Sequence, residues 1–329
     1  MKKATIVLML LGVLSAYGQE VQFSQFYTQV LSLNPAFSGA TKQYRFTSGY
    51  RNQWPELPQA FVTYTASFDA FVPELNSGFG IVLLKDKAGT GALSQSRVNL
   101  SYSYVFKLTK EISARPAVSF GYYQRGVDSG NLIFGDQLLR GTDRSSVEQL
   151  EQQQGFFDAS AGGLIYSKNI WVGFSALHIN KPNESLLNEI SNLPTFYSLH
   201  FGGRLVIEKN RFDEVLKAFW VAVNMKSQNE NVQTDIGVYA EFSPVIFGLW
   251  YRGIDWKQSN KDAFYNTRDA IIPMVGFRHL GLTVAYSYDI TISDLSGATG
   301  GSHEVGLVYE FVDPRPKKRR YRIIPCPAF

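Results

Sequence analysis

The side chains most able to do chemistry are few and scattered. The four histidines are His178, His200, His279 and His303. They fall on different predicted strands and turns, with no spacing suited to one metal ion. A serine and a histidine from neighbouring strands could form a hydrolase pair, but no nucleophile-elbow motif accompanies them. A single cysteine, Cys326, excludes both a two-cysteine metal site and an intrachain disulfide. We therefore expect no catalytic, cofactor or metal site, and no enzyme.

The composition favours an ordered, β-rich protein. Aromatic residues make up 14% of the chain and charged residues only 18%, which is not the profile of a disordered protein. The net charge of +4 comes from the two ends of the chain. Lys2 and Lys3 contribute +2 and six cations within 315–322 contribute +6, whereas the body of the chain, residues 20–313, carries a net charge of −4. A body of this charge argues against a nucleic-acid partner.

The N-terminus predicts export. Lys2 and Lys3 precede an apolar run from Ile6 to Leu14, and Ala16 and Gly18 follow at the spacing of a cleavage site. This is typical of a secretory signal peptide, here residues 1–19. The run is too short for a signal anchor, and no later stretch reaches the roughly 18 apolar residues of a transmembrane helix.

Alternation of apolar and polar residues dominates the rest of the chain. Apolar side chains occupy every second position from Val98 to Phe106, from Leu282 to Ile290 and from Val305 to Phe311. Such a period predicts strands with one apolar and one polar face. About 14 strands of this kind are predicted, and many approach the roughly 9 to 11 residues that a tilted strand needs to cross a bilayer. They lie near 43–54, 60–71, 77–87, 92–107, 112–126, 156–167, 169–178, 196–207, 217–227, 231–242, 245–253, 270–278, 281–290 and 301–312.

The connections between these strands, numbered in chain order, differ in length according to whether their number is odd or even. The long ones, 127–155, 179–195, 254–269 and 291–300, are all odd-numbered, whereas the even-numbered ones include Lys168, Ser243-Pro244 and Leu280. Outer-membrane barrels place short turns in the periplasm and long loops outside. We therefore predict an all-β transmembrane antiparallel barrel over 43–312, with the N-terminus on the periplasmic side. The alternative is a secreted β-sandwich, whose strands usually have about 5 to 6 residues.

The polar face of the predicted barrel carries both signs of charge. Its members are Arg97, Arg115, Arg125, Arg204, Asp235, Glu241, Asp289, Glu304 and Glu310. These groups could pair across strands, since buried charges need partners or water. The pattern fits either a narrow wet pore or a lumen filled by another segment. Residues 20–42, which precede the first strand, are the candidate filler.

Several motifs resemble one known family. The stretch QFSQFY at 22–27, followed by LNPAFSG at 33–39, closely resembles the opening of the PorP/SprF family, outer-membrane proteins of the type IX secretion system. Further matches are YRNQW at 50–54, the stretch 64–69, FGDQ at 134–137 and the ending CPAF at 326–329. The resemblance spans essentially the whole mature chain.

The resemblance implies a non-enzymatic barrel in a Gram-negative, Bacteroidetes-like outer membrane. It would support secretion or surface attachment of large adhesin-type cargo, with gliding motility in some bacteria and the ring and motor components of the system beneath it. The family has a core-machinery type and a cargo-dedicated type, which the sequence does not separate. A passive pore for a small or apolar solute is the alternative function.

The candidate partner-binding residues come from these motifs and from the tail. Asn34-Pro35 indicates a bend that either leads into the first strand or contacts a plug or partner, and Phe37 belongs to the same motif. Trp54 suits an interfacial aromatic girdle. The remaining candidates are Arg51 and Gln53 on the polar face, Asp136 in the longest loop, and Lys317, Lys318, Arg319, Arg320, Cys326 and Phe329 in the basic tail 313–329. We expect this tail to lie in the periplasm, either solvated or docked to the secretion machinery or to peptidoglycan.

Overall fold

A computed structural model describes residues 20–41, 44–57, 60–89, 93–127, 139–141, 153–186, 190–211, 215–229, 231–254, 269–293, 297 and 299–311. Antiparallel strands account for most of them. The strands are β1 (Arg45–Gln53), β2 (Phe61–Val72), β3 (Ser77–Ala88), β4 (Leu93–Tyr104), β5 (Phe106–Lys107), β6 (Ser113–Gly126), β7 (Gln153–Tyr166), β8 (Ile170–Leu177), β9 (Phe196–Lys209), β10 (Val215–Gln228), β11 (Asn231–Phe242), β12 (Val245–Arg252), β13 (Ala270–His279), β14 (Leu282–Thr291) and β15 (Ser302–Glu310).

The sheet closes on itself. Apart from β5, each strand pairs with its neighbours along the chain; β1 pairs with β15, and β4 pairs with β6. The two-residue β5 continues the line of β4 beyond Val105 and also pairs with β6. The fold is therefore a barrel of 14 long strands with one short extra strand, which confirms the predicted architecture.

The two ends of the barrel differ as the parity of the connections predicts. At one end, called here the short-turn end, the strands are joined by tight connections such as Ser243-Pro244 and Leu280-Gly281. Leu280 and Gly281 both have positive φ, 49° and 81°, as a two-residue hairpin turn of type I′ requires. The opposite long-loop end carries the connections 178–195, 253–269 and 292–301.

The two faces of the barrel follow the alternation. Leu100 and Phe120 point outward and are 59% and 65% exposed, whereas their neighbours Ser101 and Ser119 are buried in the lumen. The outward face is thus apolar and the lumen polar, in the register that the sequence pattern predicts.

Helical structure is minor in the described part of the chain. One short helix, α1 (Val30–Leu33), and a 3₁₀ turn at Pro35–Phe37 lie in the segment before β1, and a second 3₁₀ turn at Pro73–Leu75 follows β2. Within these residues no helix is long and apolar enough to span a bilayer.

Candidate functional site

The segment Glu20–Thr41, called the plug below, occupies the barrel lumen. Residues 23–31 and 33–41 are buried. The backbone N–H of Glu20 donates to Gln228 at the long-loop end of β10 (3.1 Å), whereas the N–H of Gly39 donates to Asp69 near the short-turn end of β2 (2.7 Å). The plug therefore runs the length of the lumen. The sequence predicts that the N-terminus lies on the periplasmic side, where the short turns are. This prediction is wrong for Glu20, which lies at the long-loop end.

Ser24 is the centre of a buried ionic cluster. Its hydroxyl donates to Asp289 Oδ2 at 2.7 Å and accepts from Arg51 Nη1 at 2.6 Å and Arg252 Nη2 at 2.8 Å. Its backbone N–H donates to Glu304 Oε2 at 2.7 Å. Four charged strand residues thus converge on one serine of the plug.

The same cluster is balanced in charge. Arg51 pairs with both Asp289 (2.9 Å) and Glu304 (3.0 Å), and Arg252 pairs with Asp289 (2.9 Å). Lys226 and Asp235 form a further buried pair at 3.1 Å. Buried charges are tolerated when each has an opposite partner and hydrogen bonds, so removing one member leaves the others uncompensated.

Aromatic contacts hold the next part of the plug. Phe26 packs edge-on against Trp250 at 4.8 Å between ring centroids, and Tyr27 packs edge-on against Tyr239 at 5.0 Å. The Tyr27 hydroxyl lies 2.9 Å from Met274 Sδ. The plug thus has an apolar anchor beside the ionic one.

Asn34 fastens the middle of the plug to β7 and β8. Its Oδ1 accepts from the N–H of Ala36 (2.8 Å), which caps the 3₁₀ turn, while its Nδ2 donates to the carbonyl oxygens of Gly163 (3.2 Å) and Phe174 (3.1 Å). At Gly162 a Cβ would overlap Asn34 Oδ1. Glycine is therefore required there for the close approach of the plug.

Pro35 and Phe37 complete the same turn. Pro35 begins the 3₁₀ turn, where its fixed φ is favourable. The ring of Phe37 stacks on His200 at 5.6 Å and meets Trp171 edge-on at 6.1 Å. Asn34-Pro35-Phe37 is thus a plug-to-wall contact as well as a bend.

The short-turn end of the plug is held mainly through its backbone. The carbonyl of Ser38 accepts from Ser103 Oγ (2.8 Å), and the carbonyl of Gly39 accepts from Arg115 Nη2 (2.8 Å). Asp69, which accepts from the N–H of Gly39, is also paired with Arg45 at 2.8 Å.

At the long-loop end Glu20 lies between two cationic groups. Its carboxylate is paired with Arg97 on one side and lies 3.2 Å from His178 Nε2 on the other. His178 Nδ1 lies 2.8 Å from Asp158. Burial would lower the pKa of His178, but the hydrogen bonds that its ring donates to the carboxylates of Asp158 and Glu20, together with their negative charges, outweigh burial and raise that pKa to about 9. Burial would raise the pKa of Glu20, but Arg97 and His178 lower it to about 2.

Above the Ser24 cluster a cavity of about 540 Å³ with a mixed polar and apolar lining opens at the long-loop end. We call it the vestibule. Gln53, Trp54 and Phe61 line it, and the rings of Trp54 and Phe61 meet edge-on at 5.8 Å. Its charged lining residues are Glu20, Asp86, Asp269, Asp289, Arg51, Arg125 and Arg252.

Residues 15–309 match the family described as "Type IX secretion system membrane protein PorP/SprF". The chain belongs to the PorP/SprF family. It is an outer-membrane β-barrel and a component of the type IX secretion system, and that membership implies contact with other components of the system. The long-loop end is then extracellular and the short-turn end periplasmic.

The chain is also similar to solved outer-membrane barrels. A toluene transporter TodX from P. putida has 10% identity and a TM-score of 0.48, over 84% of this chain and 92% of that one. A FadL homologue from Pseudomonas aeruginosa has 10% identity and a TM-score of 0.45, over 85% and 93%. Omp33 from Acinetobacter baumannii has 8% identity and a TM-score of 0.44, over 82% and 99%. A comparison with curated proteins found no match.

The PorP/SprF barrel brings together some of the candidate residues and not others. Asn34, Pro35 and Phe37 lie in the lumen, Arg51 forms the floor of the vestibule, and Gln53 and Trp54 line its wall. The remaining candidates lie outside the described residues, so their roles stay predictions: Asp136, Lys317, Lys318, Arg319, Arg320, Cys326 and Phe329.

Sequence reasoning missed the partners of the lumen charges. Arg97 binds Glu20 of the plug, and Arg125 binds Glu184 of the loop after β8 rather than an acid of another strand. Ser24 lies in the QFSQFY motif at 22–27, but nothing in the sequence indicates that it is the centre of an ionic cluster. Across the described residues, no group of three or more His, Cys, Asp or Glu side chains is arranged to hold a metal ion.

Proposed function

We propose that this PorP/SprF protein is a closed, non-catalytic barrel that supports export or surface attachment of a large adhesin-type protein. The filled lumen is the observation that carries the proposal. A plug held by the Ser24 cluster, by Phe26 and Tyr27, and by Asn34 lies buried inside the described part of the lumen, and a filled lumen is poorly suited to the passage of a solute. A role at the cell surface therefore fits the barrel better than permeation.

The vestibule is the surface that we assign to the secreted partner. It faces outward, and it combines carboxylates and guanidinium groups with the aromatic side chains of Trp54 and Phe61. Mixed charges beside aromatic rings suit a peptide segment, since such groups pair with its charges and pack against its apolar side chains. The loop after β8 borders this end and presents Ile190, which is 85% exposed.

The periplasmic end and the tail 313–329 are assigned to the machinery below. The six cations of the tail would bind acidic surfaces of ring or motor components, or peptidoglycan. Gliding motility would follow if the exported adhesin drives movement.

A gene-deletion strain complemented with variants tests the assignment. We expect the deletion to spare general outer-membrane assembly and to remove one or a few surface proteins. Trp54→Asn removes the ring and keeps a residue that tolerates the positive φ of 58° at this position, and it should reproduce the loss. Tyr197→Asn removes an aromatic ring from the outward face at the same end of the barrel, outside the vestibule, and is the matched control that should restore display.

Conductance separates the proposal from the pore. Purified protein in a planar bilayer should show no steady conductance. A steady large conductance, together with an unchanged surface proteome and lost uptake of a solute, would instead support the passive pore.

A further inference from the structure

The outward face of six neighbouring strands carries two rows of side chains that differ in character. The strand register places them side by side. The upper row, nearer the extracellular end, is Val305, Tyr50, Tyr64, Lys85, Ser96 and Gln124. The lower row is Leu307, Ser48, Ala66, Leu83, Val98 and Tyr122. The face thus changes from apolar to mixed polar within one step along the strands, as it does where hydrocarbon meets headgroups.

A groove of about 740 Å³ lies along these rows. Ser48 and Ala66, which are direct cross-strand neighbours, line it with small side chains. Tyr50 and Tyr64 stand beside them with ring centroids 5.3 Å apart. The groove opens toward the bilayer and is of the size of a small-molecule pocket. In an outer-membrane barrel its natural contents are acyl chains.

Two lysines stand at the extracellular side of the groove. Lys85 lines it, and Lys87 follows two residues further along β3 on the same face. Both are exposed. Their direct cross-strand neighbours are uncharged, Tyr64 and Ser96 for Lys85, Val62 and Ser94 for Lys87. Asp86 between them points to the lumen side and accepts from Thr63.

We propose that this groove binds a phosphate-bearing glycolipid of the outer leaflet. An acyl chain lies over Ser48 and Ala66, and the phosphate meets the ammonium groups of Lys85 and Lys87. Lysines at a membrane interface extend toward the headgroups, where they attract anionic groups such as phosphate. No carboxylate among their direct cross-strand neighbours competes with the lipid phosphate for these ammonium groups.

A second copy of this chain is a poorer occupant. A two-fold contact through this face would bring the same patch of each copy together. Lys85 and Lys87 of one copy would then approach those of the other, and like charges repel. The charge of the face therefore favours a lipid over a dimer.

Native mass spectrometry of protein in nanodiscs tests the site. The nanodiscs contain phosphatidylcholine with a small fraction of bisphosphorylated lipid A, and dephosphorylated lipid A and inorganic phosphate are separate arms. We expect the wild type to retain the bisphosphorylated lipid, to retain the dephosphorylated lipid about tenfold less, and to be unaffected by inorganic phosphate.

Three variants divide the contributions. K85Q/K87Q should lower retention about tenfold through the loss of charge. A66F should also lower it, with both lysines present, because the added ring fills the groove from the lipid side without entering the lumen. K168Q removes a cation at the periplasmic end and should leave retention unchanged. Heat-modifiable migration checks that each variant is folded.

Three outcomes would overturn the proposal. The first is an equal loss of lipid in K168Q, which would indicate attraction by net charge alone. The second is undiminished retention in both K85Q/K87Q and A66F. The third is a dimer that A66F disrupts, which would assign the groove to a second copy. Each is independent of whether the vestibule binds a secreted protein.

Discussion

Ser24 of the plug donates its hydroxyl hydrogen bond to Asp289 of β14 at 2.7 Å, although 265 residues separate them in the chain. The bond joins the first residues after the predicted signal peptide to one of the last strands of the barrel. The plug can therefore be fixed only when most of the barrel has formed. Filling the lumen and closing the sheet are thus coupled events.

Ser24→Ala should destabilise the barrel by about 1 to 3 kcal/mol. The change removes the hydroxyl that bridges Arg51, Arg252 and Asp289, and it leaves the buried Arg252 Nη2 without its hydrogen-bond acceptor. Urea unfolding followed by heat-modifiable migration measures the effect. Ser32→Ala in the same segment is the control, because Ser32 is only partly buried, and it should change stability by less than about 0.5 kcal/mol. Equal effects of the two changes would contradict the central position of Ser24.

Gly162→Ala and Gly163→Ala should differ although they are adjacent. A Cβ at Gly162 would overlap Asn34, whereas nothing lies within 4 Å of a Cβ at Gly163. We expect Gly162→Ala to cost about 1 to 3 kcal/mol and Gly163→Ala to be nearly neutral, measured by the same unfolding assay. The double change Asn34→Ala with Gly162→Ala should cost less than the sum of the two single changes, since they share one contact. Additive costs would show that Asn34 and Gly162 do not touch.

The strands and their faces were predictable because the surroundings impose a simple rule. A strand between lipid and a polar lumen must alternate, as β4 and β14 do, and the alternation gives both position and orientation. The rule weakens beyond the membrane. β7 begins at Gln153 rather than near residue 156, because polar residues can continue a strand above the lipid.

The plug was predictable as a filler but not in its path or contacts. The barrel wall surrounds the segment 23–31 on all sides. Its odd-numbered and even-numbered residues are therefore equally buried, and its sequence shows no alternation of apolar and polar residues. Its partners are far away in sequence, as Arg97 is from Glu20. Knowing which charged residues face the lumen therefore does not predict which of them form pairs. The sequence predicts pairs between strands, whereas Arg97 pairs with Glu20 of the plug.

The stability cost of an arginine on the outward face of β4 should depend on its depth in the bilayer. Leu100→Arg near the middle of the apolar band should cost about 2 to 4 kcal/mol, and Ser96→Arg in the upper row about 0 to 1 kcal/mol. Refolding into vesicles with urea titration measures both. Indistinguishable costs would place the edge of the bilayer elsewhere.

A lumen-facing arginine is not the right comparison for that experiment. The alternation alone would predict that Ser101→Arg is mild, because the lumen is polar. Ser101 Oγ, however, lies 2.6 Å from Ser38 Oγ of the plug, so the larger side chain would collide with the segment that fills the lumen. We expect Ser101→Arg to be destabilising for a reason unrelated to lipid.

The contact between Glu20 and His178 should make the extracellular end of the plug sensitive to high pH. The pKa of His178 is raised from 6.5 to about 9, so its contribution to stability is fully present below about 6.5 and is lost as the pH rises through about 9. The pKa of Glu20 is lowered from 4.5 to about 2, so its contribution is present above about 4.5 and is lost only as the pH falls toward 2.

Hydrogen exchange at residues 20–23, followed as the pH rises through the range in which His178 titrates, tests this expectation. The wild type should open faster as the pH approaches 9. The increase should exceed the intrinsic one, which is measured on an unfolded peptide of the same sequence. His178→Gln should open more readily at neutral pH and show no such additional rise, because glutamine does not titrate. The same additional rise in both proteins would assign the effect to another group, and its absence in the wild type would mean that His178 is not held protonated between the two carboxylates.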